Sequence, residues 1–162
     1  MSDTSVLPAS LTVRNLFEDL LGRDVSVFPG QPLVVADLPT ATVATYTDNA
    51  GQIYGVVGMQ LALAANVGAA LGLLPPGAAE DSIGEKKLFP NLAENVFELC
   101  NVLTSLLNRE GAPHLKLQEV VYPGMALSTD KRAHLMALGR RLDLTIEIAR
   151  YGKGTFSLSL AP

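Results

Sequence analysis

Polar and apolar residues alternate strictly from Arg141 to Ala149, with Leu142, Leu144, Ile146 and Ile148 on one face and Asp143, Thr145 and Glu147 on the other. That two-residue period predicts a strand with one wet face. Tyr151-Gly-Lys-Gly154 then turns the chain into Phe156–Leu160, completing an antiparallel hairpin. A second hairpin is predicted where Ala41–Thr47 and Gln52–Met59, both rich in β-favouring residues, flank the turn tetrad Asp48-Asn49-Ala50-Gly51. Between Val25 and Val35 the break Phe28-Pro29-Gly30-Gln31-Pro32 predicts a short strand, a turn, and a second strand or connector. Leu115–Val121 reads as a further strand, stopped by Pro123-Gly124.

Helical spacing marks the remaining segments. Leu11–Leu21 places Leu11, Leu16, Leu20 and Leu21 at apolar positions, with Gly22 as its C-cap. Leu61–Leu74 is an Ala-rich buried helix ended by Pro75-Pro76-Gly77, and the polar stretch Ala78–Pro90 is expected to be a mobile surface loop. Asn91–Asn108 is the clearest helix, with Asn91 as N-cap, Glu94 completing a capping box and Gly111 beyond its end. Thr129–Leu138 is a short helix. The layout is an α+β fold, with two or three long helices packed on a largely antiparallel sheet. It is read as one domain over residues 1–162, with 1–10 flexible.

Composition changes this picture in one place. Only 17% of the 162 residues are charged against 48% hydrophobic, which excludes intrinsic disorder. The deficit is local: residues 25–79 contain only Asp37 and Asp48, and no charge at all falls between Asp48 and Glu80. A gap of that length raises the question of a membrane span. Gln52, Gln60 and Asn66, the recurrent glycines and the switch from strand-like to helical pattern at mid-gap all speak for a buried core block. Gly68-Ala-Ala-Leu-Gly72 matches the small-xxx-small spacing of membrane helix pairs, which equally lets a second backbone approach a helix in water.

A net charge of −4 and no basic run longer than two residues argue against nucleic acid as a partner. The single cysteine, Cys100, forms no internal disulfide, and the N-terminus has neither the basic nor the apolar region of a signal peptide, so the chain is expected to be cytoplasmic.

Candidate chemistry concentrates on the Asn91–Asn108 helix. At about 100° per residue, Leu92, Val96, Leu99, Leu103 and Leu106 share one side, while Glu94, Glu98, Asn101, Ser105 and Asn108 share a stripe of roughly 80° opposite. Glu98 and Asn101, three apart, present a carboxylate and a carboxamide together. A carboxamide can donate to one oxygen while accepting from a water, which is how such a group orients the nucleophile in phosphoryl hydrolysis. On spacing alone an ordinary solvated helix face is the better reading.

The order of elements around Glu98-Leu-Cys-Asn101 shifts that balance. It follows a Gly-rich strand and an Ala-rich helix (Gly55–Gly58 through Gly72) and precedes, after 21 intervening residues, the strand-terminal Pro123. That order resembles the CheC/CheX/FliY family of response-regulator phosphatases, as does the opening Leu20-Leu21-Gly22 and the strand from Val25. The resemblance implies removal of phosphate from the phospho-aspartate of a receiver domain. Asn101 would position the in-line water and Glu98 would pair with the receiver's lysine; Glu94, Ser105 and Asn108 are the remaining residues expected to meet the partner. It implies no cofactor in this chain, since Mg²⁺ belongs to the receiver. The first helix reads Asn15-Leu-Phe-Glu18, the reverse order, so the resemblance implies one site, as in CheX-type homodimers joined through their sheets. Ser105 stands where the family often has glycine. A non-catalytic module that docks on a receiver or a motor-switch-like assembly is the alternative from a different class, and a structural dimer with an idle polar stripe is a third.

Rival constellations are thinner. Ser128-Thr-Asp-Lys131 spells the Ser-x-x-Lys of penicillin-recognising enzymes without the accompanying motifs. Asp130 and His134 could share a helix face as metal ligands, but only one further histidine, His114, exists, and no metal site is expected. Cys100 reads as a buried small hydrophobe, and no phosphate-binding glycine loop is present.

Overall fold

The computed structural model describes residues 7–108 and 113–161. Six strands form one antiparallel sheet: β1 (Val25–Pro29), β2 (Thr42–Thr47), β3 (Ile53–Met59), β4 (Lys116–Val121), β5 (Arg141–Ile148) and β6 (Gly152–Leu160), in the order β1-β5-β6-β3-β2-β4. Both predicted hairpins are present. In β2–β3, Asp48 Oδ1 accepts from the backbone N–H groups of Ala50 (2.9 Å) and Gln52 (3.0 Å), and Gly51 takes φ 81°. The β5–β6 turn lies earlier than the sequence suggests, at residues 149–151, with Arg150 at φ 76°. Gly154 is a paired strand residue opposite Ile146, and it is glycine because a Cβ there would sit 2.5 Å from the backbone nitrogen of Leu63.

Three helices, α1 (Ser10–Leu21), α2 (Leu61–Leu71) and α4 (Pro90–Val102), share one hydrophobic core with the sheet. Phe17, Leu63, Leu99 and Tyr46 are buried in it, with Phe17 edge-on to Phe156 of β6 at 6.0 Å between ring centres. On the opposite face a 3-10 helix (Val35–Thr40) and α6 (Thr129–Met136) close a smaller core of Leu33, Ala41, Val43, Val56, Val121 and Leu135. Coverage on both faces explains why every residue of β2 is buried. The charge-poor block is therefore the centre of the molecule, since Leu63–Ala70 of α2 are also buried without exception. Among the described residues no helix is long and apolar enough to cross a membrane.

The small-xxx-small stretch serves close packing in this fold. A Cβ on Gly68 would lie 2.8 Å from the carbonyl oxygen of Leu92, so α4 rests directly against α2. Asn95 Nδ2 donates to Gly68 O at 2.9 Å, and the same amide fills the space over Gly72.

Three expectations are corrected. Ala78–Pro90 is not a mobile loop, because Pro76–Gly84 forms α3. Proline at its first turn starts this helix, where the reading took Pro75-Pro76-Gly77 only as a stop. Ala79 is buried against α2 and Ser82 stitches the end of α3 to the next connection, bonding Lys87 O and accepting from Phe89 N–H. The long helix Asn91–Asn108 is interrupted at Leu103, where a tight turn (Leu106 N–H to Leu103 O, 2.9 Å) separates α4 from α5 (Thr104–Leu107). Its start is Pro90 after Phe89, so Asn91 and Glu94 form no capping box. Of residues 1–10, expected to be flexible, 1–6 lie outside the described residues and Ser10 already begins α1. Gly111, placed beyond the long helix, also lies outside them.

The wet face of β5 is also drier than the alternation implies. Arg141 grips Asp143 through two hydrogen bonds of 2.8 and 2.9 Å and donates to the carbonyls of Leu135 and Ala137 at the end of α6. Partial burial pushes the Asp143 carboxyl up, but the hydrogen bonds from Arg141 and Ser157 and the Arg141 charge outweigh it and hold the carboxyl below its usual range.

Candidate functional site

The burial of α4 decides what its outer face can offer. Leu92, Val96, Leu99 and Cys100 are buried toward α2 and the sheet, and Asn95 locks the helix rotation through Gly68. Tyr46 pins the far end: its hydroxyl donates to Cys100 O at 2.5 Å, one residue before Asn101. Burial, and then the neighbouring Cys100, pushes the Tyr46 phenol well up, so it stays a donor. The Cys100 thiol is pushed up to about 12 by burial, which keeps it protonated and unreactive beside the site.

With the helix held this way, Glu94, Glu98 and Asn101 are exposed, and together with Phe97 and Val102 they line one open depression of about 420 Å³. Glu98 and Asn101 make no hydrogen bond or ion pair with another described residue. A second depression adjoins the first, sharing Glu94 and Phe97 and bounded by Pro90, Ala93 and Tyr122. The Tyr122 hydroxyl donates to Ala93 O at 3.5 Å, tying the end of β4 to α4 just before Pro123.

The other two residues of the stripe, beyond the break at Leu103, have different surroundings. Ser105 is exposed, its hydroxyl donates to Val102 O at 2.9 Å, and it faces a groove of about 490 Å³ toward Asn15, Leu16 and Asp19 of α1. Asn108 is half-buried and its carboxamide is spent on the backbone of Leu115, donating to its oxygen (3.0 Å) and accepting from its N–H (2.8 Å). The structure thus brings together Glu94, Glu98 and Asn101, sets Ser105 on the far side of Val102, and ties Asn108 into the start of β4.

Phe97 escaped the sequence reading. It falls about 20° beyond the edge of the polar stripe on the wheel, toward Ala93, and an aromatic ring at that boundary is the signal the sequence offers. On α1 the carboxylate of the reversed pair is engaged: Glu18 accepts from Val25 N–H at 3.0 Å and lies 3.9 Å from Arg14, while the exposed Asn15 accepts from Arg14. Ser128 is the N-cap of α6, accepting from Lys131 N–H, and Lys131 pairs with Glu119, so the Ser-x-x-Lys stretch is a helix start. Asp130 and His134 lie 3.8 Å apart, and among the described residues no third potential ligand joins them.

No protein-family model and no curated protein sequence matches the chain. Solved structures do. The FliM–SpeE complex from H. pylori matches at TM-score 0.62 and 6% identity, over 93% of this chain and 80% of that one. The FliM middle domain from Vibrio alginolyticus matches at 0.59 and 9%, over 93% and 87%. A chain of the CheX–CheY–BeF3–Mg²⁺ complex from Borrelia burgdorferi matches at 0.57 and 11%, over 91% and 92%. The α+β fold of this chain, helices packed on one six-stranded antiparallel sheet, is accordingly the fold it shares with the FliM middle domain and with the chain of the CheX–CheY complex.

Proposed function

We propose that this protein is a CheX-like phosphatase that hydrolyses the phospho-aspartate of a response-regulator receiver domain through the outer face of α4. The observation that carries the proposal is the pairing of Glu98 and Asn101: both exposed, both in one depression, and neither engaged by the rest of the described fold. A helix buried on its other side and locked by Asn95 and Tyr46 holds the two groups in fixed relation. The Asn101 carboxamide accepts from the attacking water and donates toward the phosphoryl group, placing the water in line with the bond that breaks. Glu98 pairs with a lysine of the receiver and sets the register of docking. The receiver supplies the Mg²⁺ that neutralises the phosphoryl oxygens; this chain contributes orientation. That a CheX–CheY complex is among the similar structures supports a receiver as the partner.

The test is phosphate release from phosphorylated receiver domains, with wild-type protein, Asn101→Ala and no addition. Acceleration by wild type alone is the expected result, and equal rates for wild type and Asn101→Ala would remove the proposal. A second reading is favoured by the FliM middle domains that share the fold: a module that docks without hydrolysis. It requires that wild type release no phosphate, that receiver binding survive Asn101→Ala, and that Glu98→Lys weaken it.

A further inference from the structure

Phe97 is the one large apolar side chain on the exposed face of α4, 46% exposed. A singly exposed apolar residue is ordinary on a protein surface. The position of this one is not: it stands at the edge of the polar stripe, next to Asn101 on the wheel and three residues from Glu94, and forms a wall of both adjoining depressions. Residues lining the two depressions include two carboxylates and no lysine, arginine or histidine. The surface is thus an aromatic ring with two carboxylates to one side of it, and what complements it is an apolar hollow with cations along one rim.

We propose that Phe97 is the docking anchor of this face, seating in an apolar hollow on the receiver domain while Glu94 and Glu98 pair with basic groups at the rim of that hollow. The inference rests on the reading of the α4 face as a receiver-binding site. Aromatic side chains that become fully desolvated at the centre of an interface carry a disproportionate share of its affinity. Charged pairs shielded from water around such a centre are stronger than exposed ones, so the ring also supports the Glu98 pair. Phe97 touches neither water nor phosphate in this scheme; it is a positioning residue, and its effect falls on affinity.

The full chain is titrated against purified receiver domains locked with beryllofluoride and Mg²⁺, and phosphate release is followed on the same receivers in their phosphorylated form. Phe97→Ala is expected to weaken binding and raise KM about tenfold while leaving the rate at saturation within a factor of about two. Phe97→Leu should recover most of the lost affinity, and the melting temperature should be unchanged in both, as the side chain is exposed. Asn101→Ala should do the opposite, binding normally while its rate of phosphate release at saturation falls by about 100-fold. A loss of affinity below about threefold for Phe97→Ala, or a loss of saturating rate at unchanged affinity, overturns the inference. If wild type binds but does not accelerate release, and binding still depends on Phe97, the phosphatase reading fails and the docking anchor stands. If wild type binds none of the receivers, both fall.

Discussion

Two helices of this protein carry a carboxylate and a carboxamide three residues apart, and the fold treats the two carboxylates in opposite ways. On α1 the carboxylate is engaged by the fold: Glu18 holds the first N–H of β1 and lies beside Arg14, which also reaches the exposed Asn15. On α4 the pair Glu98 and Asn101 is left open in a depression, while the residues that fix the helix, Asn95 and Tyr46, act from its buried side and its far end. A carboxylate at the same spacing from a carboxamide is structural in one place and available in the other. Availability, more than the motif, makes the α4 face the candidate site.

The comparison can be broken most severely at the seat of α4. Gly68→Val drives a branched side chain into the backbone of Leu92, and we expect a loss of about 3 kcal/mol or more of stability, read by chemical denaturation, with loss of α4 activity. A change of less than 1 kcal/mol would show that the α2–α4 contact is not close. Next comes a carboxylate that the fold does use. Asp143→Ala leaves Arg141 with carbonyl partners alone at a site 11% exposed, and should cost about 2 kcal/mol at neutral pH. Because the folded carboxyl titrates below its unfolded value, its contribution is present above the unfolded value near pH 4 and is lost as pH falls through the folded one. Wild type should therefore lose stability on acidification below about pH 5 more steeply than the variant, and parallel curves would contradict this.

Smaller effects sharpen the contrast between the two pairs. Glu18→Ala removes the acceptor of Val25 N–H and is expected to cost about 1 kcal/mol. Glu98→Ala should change stability by less than about 0.5 kcal/mol, since nothing in the described fold depends on it. Thermal denaturation of the two variants side by side decides the matter: equal losses would erase the distinction between a used and an unused carboxylate.

Much of this fold is written in local pattern. The alternation of β5, the turn tetrad at Asp48–Gly51 and the glycine ending α1 all lie where the sequence places them, and Gly22 takes φ 66° as a C-cap should. So does the buried charge-poor centre. What escaped is decided by contacts between distant segments. Charges at Glu80, Asp81 and Glu85 look like a loop until Ala79 is seen against α2. Leu103 satisfies the helical period whether or not the helix runs through it, so the break there has no local signature, and Asn108 is taken up by Leu115, which no pattern within the helix announces. Gly154 reads as a turn residue and is instead the point where α2 crosses β6. The site residues Glu98 and Asn101 were legible because both the spacing and the outward face belong to a single helix; that they are unengaged was not.

The central claim is that the unengaged pair on α4 performs hydrolysis, and it is tested most directly by the single-turnover rate of phosphate release from a phosphorylated receiver at saturating protein. Saturation separates chemistry from docking. Wild type should accelerate release, and Asn101→Ala should lower the rate by about 100-fold, the scale of removing one orienting hydrogen-bonding group from a reacting centre. A rate for Asn101→Ala equal to that of wild type, with both bound to the receiver, would contradict the account.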